Sequence, residues 1–144
     1  MPVTPYLHAF AIGAVAGSRS LTAPAATLAG RGSSLARAAG VLAAGEFLAD
    51  KLPITPSRLS PPALVVRAVS GAWSGGSVAS ARSGSRIFGM ASGLGGALLG
   101  SWLAYTLRST LVKKRGLPDF AVALGEDFLA LGGAYLVTRA ARSE

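Results

Sequence analysis

Long apolar stretches separated by short polar ones divide this chain into about five hydrophobic segments. The clearest is the run at residues 87–107, which contains no charged side chain and is followed at once by Arg108. A helix needs about 20 apolar residues to cross the hydrocarbon core of a bilayer. A soluble helix of this length would normally show a polar face, and this run has none. The pattern therefore predicts an all-α integral membrane protein.

The first hydrophobic segment, up to Gly30, is predicted to be broken. Thr4-Pro5 is typical of a helix start, with a capping residue followed by proline at the first helical position. Polar residues at 18–20 then interrupt the segment, and Thr22-Ala-Pro24 is typical of a second start. This pattern fits either one long broken helix or two half-helices with a bend at membrane depth. Non-helical backbone at that depth is tolerated only where protein or a water-filled cavity covers it.

The remaining segments are separated by prolines and basic residues. A second helix is expected at 33–49, followed by a stiff proline-rich connection at 53–62. A third helix of about 20 residues starts at Ser60-Pro61, the fourth is the run at 87–107, and the fifth begins at Pro118-Asp119.

The second and fifth segments also resemble each other, at residues 41–49 and 122–130. If all five segments span, helices 1–2 and 4–5 form an inverted repeat, as in many secondary transporters. The chain is then one membrane domain, 1–144, with a first repeat at 1–52, a linker and third helix at 53–86, and a second repeat at 87–140. Chance similarity between Ala/Gly/Leu-rich segments is the alternative explanation.

Composition supports the membrane interpretation. Of the 144 residues, 51% are hydrophobic and 14% are charged, whereas soluble domains carry about 25% charged residues. The formal net charge is +8, but the basic residues stand mostly between apolar segments and aromatic residues are few. This arrangement favours anionic lipid headgroups over nucleic acid as the partner.

Several charged residues fall within the hydrophobic segments, where they are costly unless they are paired or functional. Glu46 and Asp50 share a helix face and need a cation between them, whereas Glu126 and Asp127 point about 100° apart and are expected to meet different partners. We expect either buried ion pairs that fix helix packing, or a site for an ion, a proton or a small polar solute. The predicted intramembrane charge cluster is Arg19, Glu46, Asp50, Arg67, Glu126 and Asp127. A loop motif of Lys51, Thr55 and Arg58 adjoins it.

Small residues recur at intervals of four, which places them on one helix face and lets a neighbouring helix approach closely. A glycine-lined pore is the second interpretation of the same stripe. The predicted packing positions are Gly13, Gly17, Ser85, Gly89, Gly93, Gly96 and Gly100.

Enzymatic chemistry has little support in the sequence. The chain has one histidine and no cysteine, so neither a histidine-rich nor a thiolate metal site can form. No nucleotide-binding glycine motif is present. We therefore expect no enzymatic activity, no metal and no cofactor.

Three stretches carry a resemblance to a known family: Gly17–Pro24, Glu46–Arg58 with its Asp-Lys-x-Pro-x-Thr-Pro-x-Arg pattern, and Pro118–Asp127. On these motifs the chain resembles a bacterial family of small, Gly/Ala-rich polytopic membrane proteins known only as a domain of unknown function. The resemblance implies an integral membrane fold and no particular activity.

These observations together predict a multi-pass protein of the bacterial inner membrane. The expected function is that of a small channel or carrier for an ion or small polar solute. The alternative is a non-transporting membrane scaffold or assembly protein whose ion pairs only fix packing. The expected partners are the lipid bilayer and further copies of the chain. Because the predicted loops on the two sides carry equal numbers of basic residues, an antiparallel dimer is one form of that homo-oligomer.

Overall fold

The computed structural model describes residues 3–29, 40–41, 45, 60–116 and 118–140, and in these residues the chain is helical without any strand. Helix α1 comprises Thr4–Ser18, α2 Thr22–Ala29, α3 Pro61–Ala81, α4 Arg86–Arg115 and α5 Asp119–Ala140. The prediction of an all-α fold is therefore confirmed. The predicted second segment, 33–49, lies almost wholly outside the described residues.

A short non-helical stretch separates α1 from α2. Arg19 leaves the helical conformation, with φ −143° and ψ 109°, although its N–H still bonds to the Val15 carbonyl oxygen at 2.9 Å. The next helical bond is made by Ala25, whose N–H reaches the Leu21 carbonyl oxygen at 3.0 Å. The interruption thus occupies residues 19–21, within the predicted first segment.

Local sequence explains the start of α3 and the end of α4. Ser60 is extended and Pro61 occupies the first position of α3, where its missing N–H costs nothing. Helix α4 ends at Gly116, whose φ of 64° is the left-handed conformation that glycine adopts most readily. The N–H of Gly116 bonds to the Leu111 carbonyl oxygen, which closes the last turn of α4.

Helices α1, α3 and α4 pack against one another through glycine. Gly93 of α4 lies between the other two helices: a Cβ built on Gly13 of α1 would lie 2.7 Å from the Gly93 Cα, and one built on Gly75 of α3 would also lie 2.7 Å from it. Farther along, a Cβ built on Gly100 would lie 2.9 Å from the Cα of Ala14. Backbone meets backbone at these points, which is the close approach that small residues allow between membrane helices.

The contacts also fix the helix directions. Gly13 lies against Gly93 and Gly17 against Gly100, so α1 and α4 run the same way. Helices α3 and α5 run opposite to them. An inverted repeat relating segments 1–2 to segments 4–5 would orient α1 and α4 oppositely, so the described helices give that repeat no support.

One helix in the described part of the chain is long and apolar enough to cross a bilayer. It comprises Arg86–Lys113, with mean hydropathy 1.4 over its most apolar window. This range contains the uncharged run at 87–107. The other described helices are not both long enough and apolar enough to meet this criterion. The five spans expected from the sequence therefore stay a prediction.

Among the described residues, many large apolar side chains are exposed and many polar ones are buried. Apolar core residues are mostly small, and the largest are Ile12, Val15, Val78 and Val122. Large apolar side chains lie on the outside instead, including Ile87 at 77% exposure and Phe128 at 80%. Polar and charged side chains occupy the interior: Arg19, Ser20, Thr22, Thr27, Arg67, Ser70, Ser74, Ser77, Ser101, Glu126 and Asp127.

Candidate polar site at the break between α1 and α2

An ion pair joins the break to the middle of α5. The Arg19 guanidinium donates a hydrogen bond from Nη2 to Oδ1 of Asp127, and Arg19 is only 2% exposed. Val15 lies against Gly133 and Arg19 against Asp127, so α1 and α5 run antiparallel. Such a pair is stable only when each charge compensates the other, because both have left water.

The neighbouring carboxylate points to a different helix. Oε2 of Glu126 lies 3.8 Å from Nη1 of Arg108 on α4, and the Arg108 side chain is 24% exposed. Adjacent helical residues point about 100° apart, which is why Glu126 and Asp127 meet different arginines. The two carboxylates therefore connect α5 to both the break and α4.

One face of α3 lines the other side of the break. Arg67, Ser70 and Ser74 follow one another at intervals of three and four, so they share a helix face, and all three are buried. The Ser70 hydroxyl donates a hydrogen bond to the Ser20 carbonyl oxygen. This bond satisfies a backbone group inside the non-helical stretch, as buried backbone requires.

The α4 side of the break is held by Ser101. Its hydroxyl lies 3.0 Å from the Gly17 carbonyl oxygen and 2.8 Å from the Ala97 carbonyl oxygen. Gly17 stands in the last turn of α1, where carbonyl groups have no partner within the helix. Serine hydroxyls on two different helices thus support the backbone on either side of Arg19.

The predicted packing glycines lie in helix contacts. Gly13, Gly17, Gly93, Gly96 and Gly100 lie between α1 and α4, and Gly89 faces α3. They therefore contact neighbouring helices rather than line a pore. Ser85 is different: it precedes α4 as its N-cap, and its N–H donates to the Tyr6 hydroxyl at 3.1 Å.

Some predicted site residues lie outside the described residues: Glu46, Asp50, Lys51, Thr55 and Arg58. Of the predicted charge cluster, Arg19, Arg67, Glu126 and Asp127 are described. Within the described ranges no group of three or more histidine or acidic residues could hold a metal ion.

Four residues of the site were missed in the sequence analysis: Ser20, Ser70, Ser101 and Arg108. A signal for Ser70 was present, since Arg67, Ser70, Ser74 and Ser77 form a polar stripe at helical spacing. Arg108 was assigned to a flanking loop because it ends the uncharged run. Helix α4 continues to Arg115, so Arg108 lies within the helix, where it can reach Glu126.

Comparison with protein-family models, with curated proteins and with solved structures finds no match for this chain.

Proposed function

We propose that this chain is a multi-pass protein of the bacterial inner membrane that moves an ion or small polar solute through the polar site at the break. The membrane assignment is supported by the outward-facing apolar side chains and the inward-facing polar ones. Lipid makes this arrangement favourable, since apolar surface costs nothing in hydrocarbon and each buried polar group needs an internal partner.

Helix length is consistent with several crossings. At about 1.5 Å per residue, helices of the length of α3 and α5, 21 and 22 residues, cover roughly the 30 Å of the hydrocarbon core. Helix α4, with 30 residues, exceeds it. Alternation of direction between α3, α4 and α5 fits three successive crossings joined by short turns.

The observation that carries the transport proposal is the position of the break. The first segment stops being helical at the residues that bear the buried Arg19, and the charged and hydroxyl side chains of three other helices converge there. Discontinuous helices of this kind form substrate and ion sites in secondary transporters, where free helix ends face the solute. Glu126 and Arg108 would connect this site to the more exposed side of α4.

A packing role is the second candidate, and the Arg19–Asp127 bond favours it. Each of these charges compensates the other, and a charge pair of this kind can serve only to fix how α5 packs against α1. On this alternative the protein is a scaffold that moves no solute, and a homo-oligomer is its expected form.

Reconstitution separates the two candidates. Purified full-length protein in liposomes would be tested with a panel of monovalent cations, protons, small anions and small neutral solutes. The transport proposal expects flux of at least one solute, which Glu126→Gln lowers by about tenfold or more, as loss of a charged group at a site does. Arg139→Gln is the control, because Arg139 is exposed at the far end of α5 and its Nη1 donates to the Tyr135 hydroxyl on the same helix at 3.3 Å.

Thermal unfolding in detergent is measured on the same samples. Glu126→Gln must retain a cooperative transition for its flux to be interpreted. Absence of flux for every solute, in liposomes that contain folded and inserted protein, would reject transport and leave the scaffold.

A further inference from the structure

The hydrogen bond from Ser70 to Ser20 brings α3 against the chain just before the first turn of α2. Along α1 and the break, Gly13 lies against Gly71 of α3 and Ser20 lies against Ser70. Arg67 is buried one turn before Ser70 on the same face of α3, and Arg19 directly precedes Ser20 in the break. Both arginines therefore lie close to the point where α3 contacts the chain before α2.

The first turn of α2 offers backbone donors at this position. The first bond within the helix is that of Ala25 to Leu21, so the N–H groups of Thr22 and Ala23 precede it, and Pro24 has none. The N-terminal end of a helix carries about half a positive charge and attracts anions. A helix N-terminus alone does not identify an anion site, because every helix has one. The side chain of Thr22 supplies the second observation.

The Thr22 hydroxyl is buried, with the residue 4% exposed, and its Oγ1 has no hydrogen-bond partner. Thr27, on the same helix and also buried, donates its hydroxyl to the Pro24 carbonyl oxygen at 2.9 Å. Thr22 has no such acceptor, because the residues three and four positions before it lie outside α2. A buried hydroxyl without a partner is unusual and points to an acceptor that binds there.

On these grounds we propose that the start of α2, with Arg19, Arg67 and Thr22, binds a small monovalent anion such as chloride or formate. This inference rests on the proposed function and names the class of its solute. A cation would be repelled by two guanidinium groups and by the positive helix end. The hydroxyl and the N–H groups of the first turn donate to an anion, and Arg19 supplies a charge-assisted hydrogen bond.

The Asp127 carboxylate competes with a bound anion for the Arg19 guanidinium. This carboxylate already takes the Arg19 guanidinium that an anion would use. An anion and the Asp127 carboxylate therefore bind Arg19 in place of each other, which gives a means of release. It follows that removal of the Asp127 charge strengthens the interaction with an added anion.

The test is titration of the full-length protein in a non-ionic detergent with sodium formate and sodium chloride. Sodium gluconate, whose anion is too large for a buried site, controls for ionic strength. Thr22→Val keeps the side-chain shape and removes the hydroxyl, and it is expected to weaken formate binding by about tenfold. Thr27→Val is the matched control and is expected to leave the affinity within about twofold, since its hydroxyl is satisfied within α2.

A second readout uses Asp127→Asn. Formate is expected to raise the midpoint of thermal unfolding of this variant more than that of the wild type, because formate replaces the missing carboxylate at Arg19. In the double variant with Thr22→Val this gain is expected to fall.

The outcomes separate this inference from the proposed function. Saturable formate or chloride binding that Thr22→Val weakens and Thr27→Val does not, together with anion flux, supports both. Flux of a cation or proton without anion binding overturns the anion site and keeps transport. Anion binding with the same variant pattern but no flux of any solute supports the site and rejects transport. Equal weakening by both threonine variants, or an equal response to gluconate, overturns the anion site.

Discussion

Arg19 and Asp127 are 108 positions apart in the sequence and form a buried ion pair that ties the end of α1 to the middle of α5. Helix α5 lies outside the close glycine packing of α1, α3 and α4, and its outer face carries exposed Phe128, Leu129 and Leu136. The pair is therefore expected to contribute strongly to the position of α5.

Neutralising one partner of this pair is expected to destabilise the protein. Arg19→Gln or Asp127→Asn alone leaves one buried charge without compensation, at a cost of about 3–5 kcal/mol. The double variant removes both charges and is expected to recover most of this loss. The free energy of unfolding in detergent is measured for the wild type, the two single variants and the double variant, and these four values give the coupling energy between Arg19 and Asp127.

The corresponding control is Arg139→Gln, which removes an exposed charge at the end of α5 and should change stability by less than about 0.5 kcal/mol. A double variant that loses as much as the sum of the two single variants would contradict the ion pair.

Gly93 is the most restrictive position in the helix packing. A Cβ built there would lie 2.9 Å from the Gly75 Cα and 3.0 Å from the Gly71 carbonyl carbon. The clash is with main-chain atoms, which cannot be moved away by a side-chain rotation. Gly93→Ala is expected to cost about 3 kcal/mol, the upper end for overpacking. The measurement is the shift in unfolding midpoint, together with the yield of folded protein in detergent.

Gly125→Ala on α5 is the matched control. A Cβ built on Gly125 meets nothing within 4 Å, and alanine is the better helix former by up to about 1 kcal/mol. This variant is expected to be neutral or slightly stabilising. If both alanine variants had the same effect, the glycine packing between α1, α3 and α4 would be wrong.

Ser101 is expected to stabilise the end of α1. Ser101→Ala removes the donor that serves the Gly17 carbonyl oxygen, and hydrogen bonds between membrane helices contribute about 0.6 kcal/mol on average. Ser109→Ala should cost less, because the Ser109 hydroxyl bonds at 2.9 Å to Thr106 within the same exposed part of α4.

Hydrogen exchange measured at Ser18 and Arg19 gives a local readout of the Ser101 variant. Faster exchange in Ser101→Ala than in Ser109→Ala is the expected result. Equal exchange in both would show that Ser101 does not hold the break.

The sequence predicted the helical fold and the position of the break, because both depend on local signals. Polar residues at 18–20 and the Thr22-Ala-Pro24 start stand where α1 ends and α2 begins. Spacing of glycine likewise indicated which faces of α1 and α4 carry small residues. These features follow from periodicity and capping, which a single sequence records.

The partners of the buried charges could not be predicted in the same way. Arg67 was as reasonable a partner for Glu126 as Arg108, and the choice depends on helix direction and on the length of α4. The inverted repeat depends on helix direction in the same way, and the parallel course of α1 and α4 gives it no support. Topology of this kind follows from long-range packing, which local pattern does not encode.

The account depends most directly on lipid surrounding the outer surface, and Trp102 provides the test. Trp102 lies on α4 with 55% of its surface exposed, and Trp73→Phe leaves it as the single tryptophan of the chain, which has two. The measurement is fluorescence quenching of full-length Trp73→Phe protein in bilayers whose acyl chains carry bromine. The account predicts strong quenching by bromine in the hydrocarbon region and little by iodide in the buffer. Strong quenching by iodide with none by brominated lipid, from protein that is monodisperse in buffer without detergent, would contradict it.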